Sequence, residues 1–225
     1  MTGYRSAFRS AMPRAALALV LLSFTVIPGY AAEGTSAFVR LQFGQDVSIE
    51  VPRNWTFLDQ NIRKHLNTYS EAVVKLSGMD VNQGNNLILV AANTYTRGSG
   101  PAATMRLSVR SLGEKCPTQS EIKFADPLEL KRSAELSLQQ LSSSLPDNVR
   151  SIQVIDARVE RLGRFYSLVT EQQTNYVTGP TRDRLDVVCA GSKRYKLYTS
   201  YRKSEAWMFE PVIRHIRQSL IIAAK

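Results

Sequence analysis

The sequence predicts an α+β fold, in which helices pack on an antiparallel β-sheet. Many segments alternate apolar and polar residues, which is the period of a strand with one buried face. Glycine, proline, asparagine and aspartate separate these segments, as in successive hairpins. Three other segments repeat apolar residues every three or four positions, the spacing of a helix with one buried stripe. No long linker or internal repeat interrupts the pattern, so we expect a single domain.

The segment Val47–Phe57 shows the strand pattern most clearly. Its first five residues alternate apolar and polar side chains, and Pro52 then ends the strand because proline has no N–H to donate. Trp55 follows three residues later. We expect its indole to pack into the core over the end of the sheet, and an exposed ligand-stacking role is the alternative.

Seven further strands follow from the same alternation and from the turn residues between them. They are Phe38–Phe43, Leu87–Thr96, Ala103–Leu112, Ser151–Arg161, Arg164–Val177, Arg184–Cys189 and Arg194–Arg202.

Helical spacing predicts helices over Asp59–Ser77, from Asp126 to about Ser144, and from near Glu210 to about Leu220. Asp126 precedes a proline, which is the typical start of a helix. Pro211 is acceptable as a first helical residue and unfavourable in a helix interior, so we place the start of the last helix beside it.

The first 31 residues have the features of a secretory signal peptide. Three arginines and no acidic residue precede the apolar run Leu17–Ile27, and small residues lead to a predicted cleavage between Ala31 and Ala32. The run is too short to span a bilayer comfortably, although an uncleaved anchor is the alternative. We therefore expect a periplasmic or secreted mature protein, Ala32–Lys225, without a later membrane span.

Composition and cysteine content agree with an exported globular protein. Apolar residues make up 44% of the chain, which is not typical of disorder. Without the signal, 26 basic and 19 acidic residues leave a net charge of +7. Outside the cytoplasm this charge favours phospholipid headgroups, polysaccharides or acidic proteins as partners, rather than nucleic acid. The alternative is that the charge serves only solubility. Cys116 and Cys189 are expected to form a disulfide, and two separate buried thiols are the alternative.

Several segments, taken in order, resemble one known family. They are V-S-I-E-V-P-R-N-W at positions 47–55, the paired strands Leu87–Thr96 and Ala103–Leu112, the helix from Asp126, the meander Ser151–Arg202 and the closing I-R-Q-S-L at Ile216–Leu220. This order resembles the PsbP-like superfamily, which includes DcrB-like exported bacterial proteins. The resemblance implies an α/β/α sandwich and a non-enzymatic binding, chaperone or assembly role. The superfamily has no shared catalytic residues, so it implies no active site.

Direct signs of catalysis or metal binding are weak. The two histidines, His65 and His215, and the two cysteines do not have the spacing of a metal site, and we predict no cofactor. Four acidic residues could form a carboxylate pair of the kind that hydrolases use. We expect them on turns or on the solvent faces of strands instead, and they are Glu160, Glu171, Asp183 and Asp186.

The most basic strand, within Lys193–Lys203, interleaves basic residues and tyrosines. A half-buried strand with a solvated basic face explains this pattern. The alternative is a surface that binds an anion or a partner, with Arg182 and Arg184 as possible neighbours. The residues of this surface would be Lys193, Lys196, Tyr198 and Arg202.

These observations predict an exported, non-enzymatic binding or accessory protein of the cell envelope. Two alternatives stay open at the level of sequence. One is an exported immunity or inhibitor protein that binds a single enzyme, and the other is a small carboxylate-dependent hydrolase.

Overall fold

The structure is a computed structural model of the chain, and it describes residues 37–59, 86–98, 100–112, 116–141 and 145–223. These residues belong to one compact unit, Ser36–Lys225. The predicted signal peptide and the body of the helix predicted from Asp59 to Ser77 lie outside the described residues, and both stay predictions.

The described residues form ten strands and three α-helices. The strands are β1 (Phe38–Phe43), β2 (Val47–Pro52), β3 (Thr56–Phe57), β4 (Asn86–Thr94), β5 (Ala103–Ser111), β6 (Val149–Leu162), β7 (Phe165–Tyr176), β8 (Gly179–Ala190), β9 (Lys193–Arg202) and β10 (Ile221–Ile222). The helices are α1 (Gln119–Lys123), α2 (Pro127–Leu141) and α3 (Ala206–Gln218), with a 3₁₀ turn at Lys203–Glu205 before α3.

The strands make two antiparallel sheets. The larger sheet has the order β3-β4-β5-β9-β8-β7-β6, and the smaller sheet has the order β1-β2-β10. Strands β6 to β9 are successive neighbours joined by tight turns, as the sequence predicts. The predicted α+β class, with an antiparallel sheet and packed helices, is confirmed.

The core lies between one face of the seven-stranded sheet, α3 and the three-stranded sheet. We call this face the inner face, and it carries Met105, Leu107 and Leu197, all at most 1% exposed. Successive side chains of a strand point to opposite sides. Arg106, Lys196 and their same-side neighbours therefore lie on the opposite, outer face.

Trp55 lies in this core at 5% exposure, as predicted. It follows β2 directly, and its backbone N–H donates to the carbonyl of Pro52 at 3.1 Å. The buried indole belongs to the same apolar cluster as Ile49 and Val51. The ligand-stacking alternative for Trp55 is therefore excluded by its burial.

Two helix starts show how local chemistry sets element boundaries. At α2 the carboxylate of Asp126 accepts a hydrogen bond from the N–H of Leu128 at 2.9 Å, as its role of N-cap requires. Helix α1 was not predicted. Its capping box, in which Thr118 and Glu121 satisfy each other's backbone N–H groups, is a T-x-x-E signal already present in the sequence.

The predicted start of the last helix is wrong. Helix α3 begins at Ala206, so Pro211 lies inside it rather than at its first position. Phe209 is 4% exposed and lies one turn before the buried Ile213, so burying both on one stripe requires helix before the proline. Pro211 itself is exposed, and water can reach the backbone carbonyl that loses its helical donor.

The predicted disulfide between Cys116 and Cys189 is present, with the two Cα atoms 5.9 Å apart. It ties the segment before α1 to β8. The amide of Gln119 reinforces the same junction by donating to the carbonyl of Cys189 at 2.7 Å. Cross-linking residues 73 positions apart stabilises the fold by about 4 kcal/mol in the chain-entropy description.

Candidate functional site

The inner face carries a network of arginines and acids beside α3. Arg184 lies at its centre, and its guanidinium bonds Glu160 at 2.6 Å, Glu171 at 2.9 Å and Asp186 at 3.0 Å. Arg217 reaches down from α3 to Glu160 at 2.6 Å and Asp186 at 3.0 Å. Because Arg217 and Arg184 share these two acids, the network fastens the end of α3 to β6 and β8.

The arginines lower the pKa values of two of these acids, Glu160 and Glu171. Burial raises the pKa of Glu160, but hydrogen bonds and charges from Arg184, Arg217 and Arg158 outweigh it and lower the pKa from 4.5 to about 2. Burial likewise raises the pKa of Glu171, and the hydrogen bonds of Arg158 and Arg182 outweigh it and lower the pKa. A carboxylate with a lowered pKa is a poor general acid at neutral pH.

The expectation that these four acids lie on turns or solvent faces is wrong for all of them. The fold brings Glu160, Glu171 and Asp186 together under arginine side chains, and it buries Asp183. Asp183 lies apart from them on the outer face and is 1% exposed. It accepts hydrogen bonds from Ser200 at 2.5 Å, from Thr181 at 2.9 Å and from Thr174. Three hydroxyl donors make Asp183 part of the packing of β7, β8 and β9.

The outer face carries a second polar cluster, built from the middle of the sheet. Strand β5 pairs with β9 so that Arg110 lies opposite Arg194, Ser108 opposite Lys196 and Arg106 opposite Tyr198. The alternation of each strand puts these residues on one side. We call Arg106, Arg194 and Lys196 the cationic cluster.

The three members of the cationic cluster form no ion pair with any described residue. All three are half-buried. The Nε atoms of Arg106 and Arg194 are fully enclosed, and neither has a hydrogen-bond partner. Buried polar groups without partners are rare in folded proteins, and buried charges without partners are rarer.

Burial and like charge act together on the cationic cluster. Burial lowers the pKa of Lys196, and the charges of Arg194 and Arg110 lower it further. Burial and the charge of Arg110 lower the pKa of Arg194 in the same way. Arg106 lies over the ring of Tyr198 at 6.0 Å from the centroid. Arg106, Arg194 and Lys196 thus lie close together without an acidic partner among the described residues.

The four residues of the surface suggested by the sequence separate in the structure. Lys196 and Tyr198 lie together on the outer face. Lys193 instead pairs with Asp46 at 3.2 Å, in the turn between β1 and β2. Arg202 lies at the far end of β9, where it donates to the carbonyl of Gly100 at 2.7 Å. Lys193 and Arg202 therefore do not extend the cationic cluster.

Sequence reasoning missed Arg106 and Arg194 as members of a site. The alternation of β5 was recognised, and it correctly puts Arg106 and Arg110 on one face. The missing information was the pairing of β5 with β9, which joins segments far apart in the chain.

Two grooves occur on the described surface. One of about 370 Å³ lies between α3 and the inner face, and the arginine network lines it together with Tyr201 and Glu210. The other, of about 890 Å³, is open and mainly apolar, with Leu87, Val109 and Tyr195 in its wall. Neither contains a histidine in its described lining.

The two histidines do not form a catalytic or metal site among the described residues. The imidazole of His215 is hydrogen-bonded to Glu50 at 2.6 Å and packs on the ring of Phe38. His65 lies outside the described residues. Within the described ranges there is no group of three or more potential metal ligands. No helix in those ranges is long and apolar enough to cross a membrane.

The fold and its strand order define an α+β protein with a PsbP-like fold. Cyanobacterial PsbP (CyanoP) from Synechocystis sp. aligns with a TM-score of 0.55 at 8% identity, over 88% of this chain and 99% of that chain. LpqN of Mycobacterium tuberculosis, which is involved in cell envelope biogenesis, aligns with a TM-score of 0.44 at 14% identity, over 83% of this chain and 90% of that chain.

The Ran-binding protein Mog1p of Saccharomyces cerevisiae aligns with a TM-score of 0.40 at 7% identity, over 83% of this chain and 96% of that chain. No protein-family model matches the sequence. No curated protein matches it either. The PsbP-like fold implied by the resemblance in the sequence is confirmed by the first of these structures.

Proposed function

We propose that this protein is an exported, non-enzymatic binding or accessory protein of the cell envelope, and that it binds an anionic component through the outer face. One observation carries the proposal. Arg106, Arg194 and Lys196 are half-buried on adjoining strands and have no acidic partner among the described residues. A solvated basic face would instead leave its cations exposed to water.

The cost of this arrangement supports a role in binding. An unpaired charge taken partly out of water destabilises the fold, and like charges on paired strands add to that cost. An anion at the cationic cluster offsets both. Destabilising features that persist without a structural benefit are typical of sites shaped by function.

Export and the absence of catalysis have their own support. The N-terminal segment has the pattern of a signal peptide, and the Cys116–Cys189 disulfide fits an oxidising compartment. The acids on the inner face are neutralised by arginines, which favours a structural role for them over acid–base catalysis.

Binding to anionic surfaces tests the proposal. Mature protein is sedimented with vesicles of phosphatidylcholine alone, vesicles that also contain phosphatidylglycerol, and an acidic polymer resin. We expect retention only on the anionic materials. Retention should fall steeply between about 0.02 M and about 0.15 M salt, because added salt shortens the Debye length and screens the attraction.

The matched variants are Arg194→Gln with Lys196→Gln, and Arg214→Gln as control. Arg214 lies on α3, on the inner side of the large sheet, and its side chain is 62% exposed. We expect the double variant to lose retention at least about tenfold and the control to keep it. Equal retention of all three proteins would refute the proposal, and so would a failure to bind any anion, whether a surface or a small molecule.

A further inference from the structure

The geometry points to a narrower ligand: we propose that the cationic cluster is a recessed site for one compact oxyanion of the phosphate class. This inference rests on the proposed function, because it names the ligand of the same surface. A soluble phosphate ester and a lipid headgroup both carry such a phosphate, and the experiment below separates the two sources.

The register of β5 and β9 places Lys196 between Arg194 and the Arg106–Tyr198 pair on the outer face. Residues directly opposite on antiparallel strands have Cβ atoms about 4.5–5.5 Å apart, and residues two apart on one strand are about 7 Å apart. Lys196 lies between Arg194 and Tyr198 on β9, and Arg106 lies opposite Tyr198. Arg106 and Arg194 are therefore about 14 Å apart along the sheet with Lys196 between them, so one ligand can touch all three cations only if it lies over Lys196 and both arginine side chains extend toward it.

The site is recessed and has a fixed floor. The enclosed Nε atoms of Arg106 and Arg194 show that their stems pack into the protein, so only their terminal nitrogens are left to face a ligand. Tyr198 lies beneath Arg106, and burial raises the pKa of its hydroxyl. Ser200, next along this face of β9, is held by Asp183 at 2.5 Å.

Charge and shape favour phosphate over other anions. The cationic cluster carries three positive charges, and the nearest buried acid, Asp183, is already occupied by three hydroxyl donors. A phosphate monoester brings a charge of about −1.5 to −2 and three acceptor oxygens, whereas a carboxylate brings about −1. Two guanidinium forks and one ammonium suit that larger, multiply accepting group.

Half-burial favours one compact group, free or at the tip of a lipid headgroup, over simultaneous contact with the many charges of an extended polyanion or a flat membrane surface. Such partners are met by exposed lysines and arginines that project into water. Here the cations are drawn into the sheet face, and Lys196 has a lowered pKa beside Arg194 and Arg110. A bound phosphate would offset this repulsion locally.

The test measures two properties of the mature protein, its thermal stability without phosphate and its affinity for phosphate. A variant that removes one cation should raise the first and lower the second. Thermal unfolding is followed as inorganic phosphate or glycerol phosphate is added at constant ionic strength, with chloride and acetate as reference anions. We expect a saturable rise in Tm with both phosphates and little change with acetate. Lys196→Met should raise the Tm in phosphate-free buffer, because it removes an unpaired charge, and should weaken phosphate binding at least about tenfold.

Arg194→Gln should weaken phosphate binding in the same way, and Arg214→Gln should leave it unchanged. A second arm asks whether glycerol phosphate competes with vesicles that contain phosphatidic acid. Competition assigns the phosphate site to headgroup binding, and phosphate binding without vesicle binding assigns it to a soluble ester; either result supports the inference.

Two binding results would overturn the inference, as would the absence of any binding. One is a phosphate response that survives in both Lys196→Met and Arg194→Gln, which indicates ion binding elsewhere. The other is retention on anionic vesicles that needs the cationic cluster but does not respond to soluble phosphate. That result would support the proposed function and refute the compact phosphate site. If the protein binds neither phosphate nor any anionic material, both proposals fail.

Discussion

Acid should weaken this fold by releasing α3 from the arginine network. Glu160 is the acid to test, because it joins Arg184 of the sheet to Arg217 of the helix. Its pKa is lowered from 4.5 to about 2 in the folded protein. A lowered folded-state pKa contributes stability that is present above the unfolded pKa and is lost as the pH falls toward the folded one.

The size of the effect follows from that shift. Each pKa unit corresponds to about 1.4 kcal/mol, so the difference between 4.5 and about 2 gives an upper limit of about 3 kcal/mol. Solvent screening reduces this figure, since the side chain of Glu160 is still 26% exposed. We expect a loss of about 2 kcal/mol between pH 4.5 and about 2 from this group.

Urea unfolding at a series of pH values measures it. Wild type and Glu160→Gln are compared, and the difference between their free energies of unfolding should shrink as the pH falls through this window. Glu210→Gln is the control, because Glu210 pairs with Arg214 at 3.5 Å on the exposed face of α3 and should contribute no more than about 0.5 kcal/mol. A wild-type minus Glu160→Gln difference that does not change with pH would refute the reasoning.

Three further predictions use the same kind of measurement. Replacing Cys116 and Cys189 with serine should lower the free energy of unfolding by about 4 kcal/mol and remove the effect of reductant; a reductant-insensitive wild type would contradict this. Trp55→Ala should lower the free energy of unfolding by about 3–5 kcal/mol, because the indole is 5% exposed. As a control, Trp207→Ala should change it by less than about 0.5 kcal/mol, because Trp207 is 77% exposed. Equal effects would show that Trp55 is not a core residue. Burial lowers the pKa of Lys196 below 10.5, so just below that pH the folded chain binds fewer protons than the unfolded chain. The free energy of unfolding of the wild type, measured relative to that of Lys196→Met, should therefore rise with pH in that range. A difference that does not change with pH would contradict an unpaired charge at Lys196.

Local sequence patterns predicted much of the fold for identifiable reasons. The meander from β6 to β9 was readable because each strand pairs with the next and short turns separate them. The cap at Asp126 was readable because it involves neighbours in the chain. By contrast, β3 and β10 are two-residue strands that exist only through their partners, and no periodicity can reveal so short a segment.

Pro211 shows where a local rule failed. Proline disfavours a helix interior, and that preference placed the start of α3 too late. The burial of Phe209 against the sheet decided otherwise, since the gain from packing a large aromatic side chain outweighs one missing backbone donor at an exposed turn.

The sequence by itself determined the longer strands, the faces of their side chains, the cysteines available for a bridge and the excess of positive charge. Tertiary structure alone decided which charges meet. Glu160, Asp186 and Arg217 come together through the docking of α3, whereas Arg106, Arg194 and Lys196 come together through the pairing of β5 with β9. The physical reason is that alternation records which side of a strand is buried but not which distant strand lies beside it. Whether a buried charge destabilises the fold depends on that neighbouring strand, which either supplies an opposite charge or does not.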